Sequence, residues 1–251
     1  SYQKKLEELI EKDVYKITPE TRKNEALAFI KQGLEDFSIS RSNQRAQGVG
    51  VPVPGDDTQK IYVWFDALVN YIAAIGWPIE MEKFNAFWPA VQLAGKDNLR
   101  FQSAMWQAML MSANLPNSKQ ILVGGFIMSD GQKMSKSLGN VINPIEWVEK
   151  YGTDALRYFL LSEVSMFEDS DVTKEKFEIA YQANLANGIG NLCSRVAAMV
   201  EKEGIQIETS DLKIRTEILE KANTYNFSEA MNAIWSEIKN ADMYINQKEV
   251  W

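Results

Sequence analysis

The sequence lacks histidine entirely and has one cysteine, Cys193, among its 251 residues. The absence of histidine excludes histidine-based catalytic triads, histidine metal ligands and imidazole acid–base chemistry. A single cysteine excludes an intramolecular disulfide framework and a cysteine-based zinc site. We therefore expect no zinc site in this chain. Any catalysis in this chain would therefore use carboxylates, lysines, arginines or metal-bound water. One thiol fits a reducing compartment, for which we predict the cytoplasm.

Long apolar runs, low-complexity tracts and blocks of like charge are also missing from the sequence. No run approaches the ~20 apolar residues of a membrane-spanning helix, so we expect no membrane association. The 27 Lys and Arg residues against 34 Asp and Glu residues give a net charge of −7. This balance argues against a protein that coats nucleic acid by bulk electrostatics. The net charge does not exclude a local basic strip on the surface of an otherwise acidic protein.

Hydrophobic patterning predicts an α/β part followed by an all-helical part. Compact apolar runs at residues 60–65, 91–94 and 120–123 indicate buried strands, and helical patterns from Asp66 and Asp97 separate them. This alternation is typical of a parallel sheet. Residues 1–36 are predicted as helix, turn and helix, and residues 41–57 as a loop rich in Gly and Pro. After Asn143-Pro144 only helices are predicted.

The polar loop at residues 124–140 is the sharpest local signal. It leaves the carboxyl end of a predicted strand, where ligands of open α/β sheets bind. It presents Lys133 and Lys136 together with Ser135 and Ser137. Two ammonium groups beside hydroxyls and glycine amides suit a polyphosphate. By composition alone, a solvated surface loop is an equal alternative.

Six ordered sequence words change that balance. They are KMSKS at residues 133–137, YVWFDAL at 62–68, GKD at 95–97, YGTDALRY at 151–158, VPVPGD at 51–56 and NGIGNL at 187–192. Together they resemble the methionyl-tRNA synthetases, a family of class I aminoacyl-tRNA synthetases. The resemblance implies the C-terminal half of a Rossmann-like nucleotide-binding parallel sheet, followed by an all-α helical bundle. It also implies three segments: the tail of a connective insertion (1–36), the second half of the catalytic domain (37–144), and a linker helix with the anticodon-binding bundle (145–251).

The activity that the resemblance implies is activation of methionine by ATP, with Mg²⁺, followed by transfer of methionine to tRNA(Met). Lys133, Lys136, Ser135 and Ser137 would act on the departing phosphates, and Arg41 would lie at the edge of the active site. ATP would be held by Gly95, Asp97, Ile127 and Lys136. Because this chemistry requires positioning and charge stabilisation, it needs no histidine.

The resemblance also implies a methionine pocket formed by Trp64, Ala67, Leu68, Tyr71, Asn98 and Gln102. Aromatic surroundings favour a thioether. The alternative is that Trp64 and Tyr71 are core residues of a βα unit, but the position of Trp64 near the end of a predicted strand, ahead of a capped helix, favours the pocket. Phe101, Met105 and Met109 have helical spacing and are predicted to be core residues. Two departures concern histidines of the family, which this chain replaces by Gln102 and Gly124.

In the helical part, Asn191, Arg195 and Trp251 match positions that meet anticodon bases in the family. Asn191 and Arg195 lie four residues apart, on one helix face. The alternatives are a solvated charge for Arg195 and bundle packing for Trp251.

The HIGH signature of the first catalytic half is not in this sequence. We therefore expect a fragment that is weak or inactive alone, whose exposed sheet edge could support self-association. Two further hypotheses stay open. One is a class I synthetase for leucine, valine or cysteine, and the other is a non-catalytic tRNA-binding module.

Overall fold

In the computed structural model, residues 2–206 and 213–248 are described, and the chain divides into two units, residues 1–124 and 125–251. The domain limits predicted from the sequence lie elsewhere, after residues 36 and 144, and stay a prediction. Trp251 lies outside the described residues. None of the helices in the described ranges has the length and apolar character needed to cross a membrane.

The first unit alternates helices and short strands. In chain order its elements are α1 (Gln3–Glu11), β1 (Lys16–Thr18), α2 (Glu20–Lys31), β2 (Ser40–Ser42), β3 (Pro52–Val53), β4 (Asp56–Ile61), α3 (Val63–Ala73), α4 (Met81–Phe87), β5 (Val91–Gly95), a 3₁₀ turn (Lys96–Asn98), a π-helical segment (Phe101–Met105), α5 (Trp106–Ser112) and β6 (Gln120–Gly124).

A parallel sheet of order β1-β6-β5 forms the centre of this unit. The predicted strands at 91–94 and 120–123 are confirmed as β5 and β6, which pair in parallel from Val91 opposite Gln120 to Gly95 opposite Gly124. Apolar side chains of α1, α2, β1 and β6 form one buried cluster against this sheet. A second cluster joins α3, α4 and α5, and its buried members are Leu68, Ile72, Phe84, Trp88, Trp106 and Leu110.

Three sequence predictions in this unit are wrong. The apolar run at 60–65 is not one buried strand, because β4 ends at Ile61 and α3 begins at Val63. Moreover, β4 pairs antiparallel with β2 and β3 in a separate sheet. The predicted loop at 41–57 therefore contains strand residues. The predicted turn between α1 and α2 contains β1, which exists as a strand because it pairs in parallel with β6.

The second unit is mainly helical, but the prediction of only helices after Asn143-Pro144 is wrong at Ser170–Asp171, which form a strand because they pair with Ile127–Ser129. Its elements are β7 (Ile127–Ser129), β8 (Gln132–Lys133), α6 (Pro144–Tyr151), α7 (Thr153–Ser162), β9 (Ser170–Asp171), α8 (Lys174–Ala180), a π-helical segment (Tyr181–Gly190), α9 (Asn191–Glu203), α10 (Thr216–Asn223) and α11 (Phe227–Lys248). Strands β8, β7 and β9 form a small sheet that the sequence did not predict. The buried cluster of α6, α7 and α8 centres on Trp147, Phe159 and Phe177.

Helix α6 begins as its sequence predicts. The side chain of Asn143 accepts a hydrogen bond from the amide of Ile145, and Pro144 occupies the first helical position. Between α8 and α9 the helical turns widen to the π type at residues 181–190. A β-carbon on Gly190 would lie 2.8 Å from the carbonyl oxygen of Leu185, so glycine is required where these turns end. Cys193 is exposed on α9.

Candidate functional site

The loop that carries the two lysines begins as a β-hairpin. Strands β7 and β8 pair antiparallel with Ser129 opposite Gln132. The two residues between them, Asp130 and Gly131, have φ values of 53° and 71°. Positive φ at both central positions is the signature of a type I′ turn, for which Asp-Gly is a preferred pair. The sequence analysis missed this hairpin, although the Asp-Gly pair was the signal for it.

The serines of the loop hold its shape. The Oγ atoms of Ser135 and Ser137 lie 3.1 Å apart, and the amide of Leu138 donates to Ser135 Oγ at 3.3 Å. Asn140, which the sequence analysis did not single out, accepts a hydrogen bond from the amide of Ser135 at 2.9 Å through Oδ1. Its Nδ2 donates to the carbonyl of Lys133 at 3.4 Å. The residues after β8 therefore fold back on themselves rather than extending into solvent.

Both lysines of the loop are exposed. The Lys133 ammonium lies over the ring of Phe126, 4.1 Å from its centroid. A cation at this distance is attracted by the electrons of the aromatic face. Ile127, predicted near the nucleotide, is exposed on β7. The structure thus brings Lys133, Ser135 and Ser137 into one short segment, with Ile127 on the strand that precedes it.

Two carboxylates from further along the chain hold the hairpin, and the sequence analysis missed both. Asp169 accepts from the amide of Phe126 at 2.9 Å, and Asp171 accepts from the amide of Gly131 at 2.8 Å. The Gly131 amide and then the Lys176 ammonium lower the pKa of the Asp171 carboxyl from its ordinary value. No sequence motif marked these residues as part of the site.

Two aromatic rings of the first unit stack where the amino-acid pocket is predicted. Trp64 lies in the first turn of α3, rather than at the end of a strand, and stacks on Phe101 with ring centroids 4.5 Å apart. Phe101 was predicted to be a core residue, yet it is only half-buried and contacts the ring of Trp64. Phe101 lies in a π-helical segment, where the wider turns change which residues share a face. A prediction based on α-helical spacing therefore placed it in the core.

A hydrogen bond joins the two polar residues of this pocket. Gln102 Nε2 donates to the Tyr71 hydroxyl at 2.9 Å. Gln102 is 2% exposed, whereas Tyr71 is 39% exposed. The buried Oε1 of Gln102 has no hydrogen-bond partner within the described ranges. Gln102 thus keeps a hydrogen bond to Tyr71 while its own oxygen stays buried.

A buried polar network supports the segment that carries Gln102. Gln107 is fully buried, and its Nε2 donates to the carbonyl of Gln102 at 3.1 Å and to Ser118 Oγ at 2.9 Å. Its Oε1 accepts from the amide of Ser118 at 3.1 Å and from Asn117 Nδ2 at 3.0 Å. Because each polar group of Gln107 is satisfied, the network fixes the π-helical backbone.

The remaining predicted pocket residues occupy different environments. Leu68 is 1% exposed within the cluster of α3, α4 and α5, which makes it a core residue in this structure. Ala67 is exposed on the same helix, and Asn98 is half-buried at the end of the 3₁₀ turn. A β-carbon on Gly95 would lie 2.9 Å from Asp97 Oδ1, so a larger residue at position 95 would displace the end of the Asp97 side chain.

Arg41 lies on β2 in the antiparallel sheet. Its guanidinium donates to the carbonyl oxygens of Ser38 and Ser40 at 2.7 and 2.8 Å and lies over the ring of Tyr62, 4.1 Å from the centroid. Tyr62 directly precedes α3. Arg41 is therefore held beside the start of the helix that carries Trp64.

The helical unit has a small cleft of about 240 Å³, to which Asn187, Asn191, Arg195 and Trp235 contribute. Asn191 and Arg195 thus line the same cleft. Arg195 forms an ion pair with Asp242 at 2.8 Å and donates to Asn246 at 2.7 Å. The ion pair orders the guanidinium at the wall of the cleft. Trp251 lies outside the described residues.

Within residues 2–206 and 213–248, no group of three or more His, Cys, Asp or Glu side chains is placed to hold a metal ion.

Comparison with known proteins matches residues 1–197 to the family model described as tRNA synthetases class I (M). The methionine–tRNA ligase of Brucella suis is 46% identical over 203 residues, which are 80% of this chain and 39% of that protein. The methionine–tRNA ligase of Synechocystis is 39% identical over 270 residues, which cover all of this chain and 50% of that protein. The chain therefore spans half or less of the length of these relatives.

The fold also matches a solved structure. The crystal structure of Mycobacterium tuberculosis methionyl-tRNA synthetase bound by methionyl-adenylate aligns with a TM-score of 0.88 and 34% identity, over 99% of this chain and 51% of that chain. These matches confirm the predicted α/β, Rossmann-like fold followed by a helical region. The chain belongs to the methionyl-tRNA synthetase family of class I tRNA synthetases.

Proposed function

We propose that the protein containing this chain activates methionine with ATP and transfers it to tRNA(Met). The observation that carries the proposal is the alignment of nearly the whole chain with a synthetase bound by methionyl-adenylate. The relatives named methionine–tRNA ligase support it. The chain would contribute the second half of the catalytic domain and the start of the anticodon-binding bundle, with limits near residues 36 and 144. Its proposed place of action is the cytoplasm.

In the proposed reaction, the carboxylate of methionine attacks the α-phosphate of ATP in line and pyrophosphate leaves. Negative charge increases on the departing phosphates, and Lys133 and Lys136 would offset it with Ser135 and Ser137 as hydrogen-bond donors. Mg²⁺ bound with ATP would supply further charge neutralisation. No side chain has to exchange a proton, so the reaction suits a chain without histidine.

The remaining substrate contacts are proposed from the resemblance of this chain to its family. Gly95 and Asp97 would hold the ribose of ATP and Ile127 would lie beside adenine, while Arg41 would border the site. In the helical unit, the cleft with Asn191 and Arg195 would meet anticodon bases, and Trp251 would stack on one of them. Self-association stays a prediction. Within the described ranges, β1 and β5 are the edge strands of the parallel sheet, because each pairs only with β6.

The methionine side chain would lie against the stacked rings of Trp64 and Phe101, near Ala67 and Asn98. A thioether gains about 0.3–1.5 kcal/mol from an aromatic contact. Because the Tyr71 oxygen accepts from Gln102 Nε2, the Tyr71 hydroxyl proton can point towards the weak sulfur acceptor. Leu68 would support this pocket from the core behind it. Tyr71, oriented by Gln102, would thus donate a hydrogen bond to the sulfur of the methionine side chain.

Methionine-dependent ATP–pyrophosphate exchange tests the proposal. We expect exchange by the complete protein that carries this sequence, and weak or no exchange by the 251-residue chain, because the HIGH half is not in its sequence. Exchange that depends on leucine, valine or cysteine would instead support another class I synthetase. Binding of tRNA without exchange by the complete protein would support a tRNA-binding module.

Replacing Trp64 by alanine should raise KM for methionine in this assay by roughly 10-fold, since the thioether loses both burial and its aromatic contact. The value of kcat should change little, because the contact is the same before and during the reaction. Trp64→Phe should restore most of the affinity. The control is Phe87→Ala, which removes an aromatic that is 63% exposed on α4. Equal KM values for Trp64→Ala and the control would remove Trp64 from the pocket.

A further inference from the structure

The position of Lys133 depends on strand β7, because Lys133 ends the strand that pairs with it. The register places Met128 opposite Lys133. The type I′ turn at Asp130 and Gly131 leaves no additional residues through which β8 could shift. Whatever fixes β7 therefore also fixes the start of the segment that carries the two lysines.

The segment at 169–171 contacts β7 at both of its ends. At the first end, Asp169 Oδ1 accepts from the amide of Phe126 at 2.9 Å, and the carbonyl of Phe126 accepts from the amide of Ser170 at 2.9 Å. At the other end, Asp171 Oδ1 accepts from the amide of Gly131 at 2.8 Å. Between these points β9 pairs in parallel with β7.

Asp171 is itself fixed. Its Oδ2 and its carbonyl oxygen each accept from Lys176 Nζ at 3.1 Å. The next residue, Val172, is 4% exposed in the cluster of α6, α7 and α8. Gly125 brings the two segments together, since a β-carbon there would lie 2.3 Å from the carbonyl carbon of Glu168. The segment is thus anchored in the core of the helical unit.

We propose that Asp169 and Asp171 are positioning residues that hold the hairpin so that Lys133 is presented for charge stabilisation. Asp169 acts at Phe126, whose ring lies under the Lys133 ammonium, and Asp171 acts at the turn. Each carboxylate accepts a hydrogen bond from a backbone amide of the hairpin, which is the contact expected of a positioning residue. The inference rests on the proposed function only for its effect on catalysis.

The catalytic test compares Asp171→Ala with Glu168→Ala in the complete protein. Glu168 is an exposed carboxylate of the same segment, which makes it a matched control. We expect Asp171→Ala to lower kcat of methionine-dependent exchange roughly 10- to 100-fold, the scale of a small misplacement of a catalytic group. KM for methionine should stay unchanged, because the amino-acid pocket is formed by other residues. Asp171→Asn, which keeps an acceptor oxygen for Gly131, should recover most of kcat.

A second measurement is independent of activity. Amide hydrogen exchange followed by NMR should show that the Gly131 amide is protected in the native chain and in Glu168→Ala, and unprotected in Asp171→Ala. Should Asp171→Ala fail to fold, Lys176→Met tests the same support from the other side of the ion pair, with a smaller loss of protection expected.

The inference is overturned if Gly131 stays protected in Asp171→Ala, or if kcat of that variant equals the control in an active protein. It is also overturned if the loss appears in KM for methionine alone. A complete native protein without methionine-dependent exchange would overturn the proposed function instead. In that case the NMR measurements decide whether the two carboxylates position the hairpin. Loss of Gly131 amide protection and a shift of the Lys133 amide resonance in Asp171→Ala would support this role.

Discussion

Replacing Lys133 by alanine is expected to slow methionine-dependent ATP–pyrophosphate exchange by the complete protein roughly 10²–10³-fold, the cost of one lost charge-stabilising donor. The physical reason is that negative charge grows on the phosphates during the reaction, so an ammonium placed there lowers the barrier more than it strengthens ground-state binding. The effect should therefore appear in kcat, with a smaller change in KM for ATP.

A surface lysine of the same unit provides the control for this experiment. Lys174 is exposed on α8 and lies 3.9 Å from Glu178, so Lys174→Ala removes a positive charge without touching the loop. An exposed ion pair of this kind contributes little to stability. If Lys133→Ala and Lys174→Ala exchange at the same rate, Lys133 has no part in the mechanism.

Replacing Gln107 by methionine should lower the free energy of unfolding of the chain by about 3–5 kcal/mol, because several buried polar partners lose their hydrogen bonds at a cost of about 1–3 kcal/mol each. The partners are the carbonyl of Gln102, the hydroxyl and amide of Ser118 and the side chain of Asn117. Methionine has a similar length and helix propensity, so the loss reports the hydrogen bonds rather than the shape. Urea denaturation followed by circular dichroism measures it.

Met109→Leu is the matched control, since it changes a partly buried side chain of α5 at nearly constant volume and should cost less than about 1.5 kcal/mol. A denaturation midpoint for Gln107→Met equal to that of Met109→Leu would mean that the network does not stabilise the unit. In the complete protein, a stable Gln107→Met variant with unchanged KM for methionine would separate the network from the pocket.

Much of the α/β architecture could be predicted from the sequence because some patterns are unambiguous at short range. The runs at 91–94 and 120–123 are bounded by turn residues and have the length of strands, and both are strands. The apolar run at 60–65 has the same composition, but its second half starts α3. Composition cannot distinguish a buried strand from the first turn of a buried helix. Strand β1 depends on a partner far along the chain and has no local signal.

In the candidate site, too, some features have a local sequence signal and others depend on distant residues. The lysine and serine residues at 133–137 suit a phosphate, and the resemblance of this segment to a family motif favours a phosphate-binding loop over a solvated surface loop. The support of that loop could not be predicted, since Asp171 lies 40 residues from Gly131 along the chain. The pair formed by Gln102 and Tyr71 likewise spans 31 residues. Contacts at such separation follow from the packing of elements rather than from local sequence.

The exposed thiol on α9 has a practical consequence for studying the helical unit. Cys193 is the only cysteine in the sequence and lies two residues from both Asn191 and Arg195. A maleimide fluorophore would therefore attach at one defined position of the native chain, on the same helix as two residues that line the cleft. Its emission could report the approach of an RNA hairpin by titration, without radioactivity and without an engineered labelling handle.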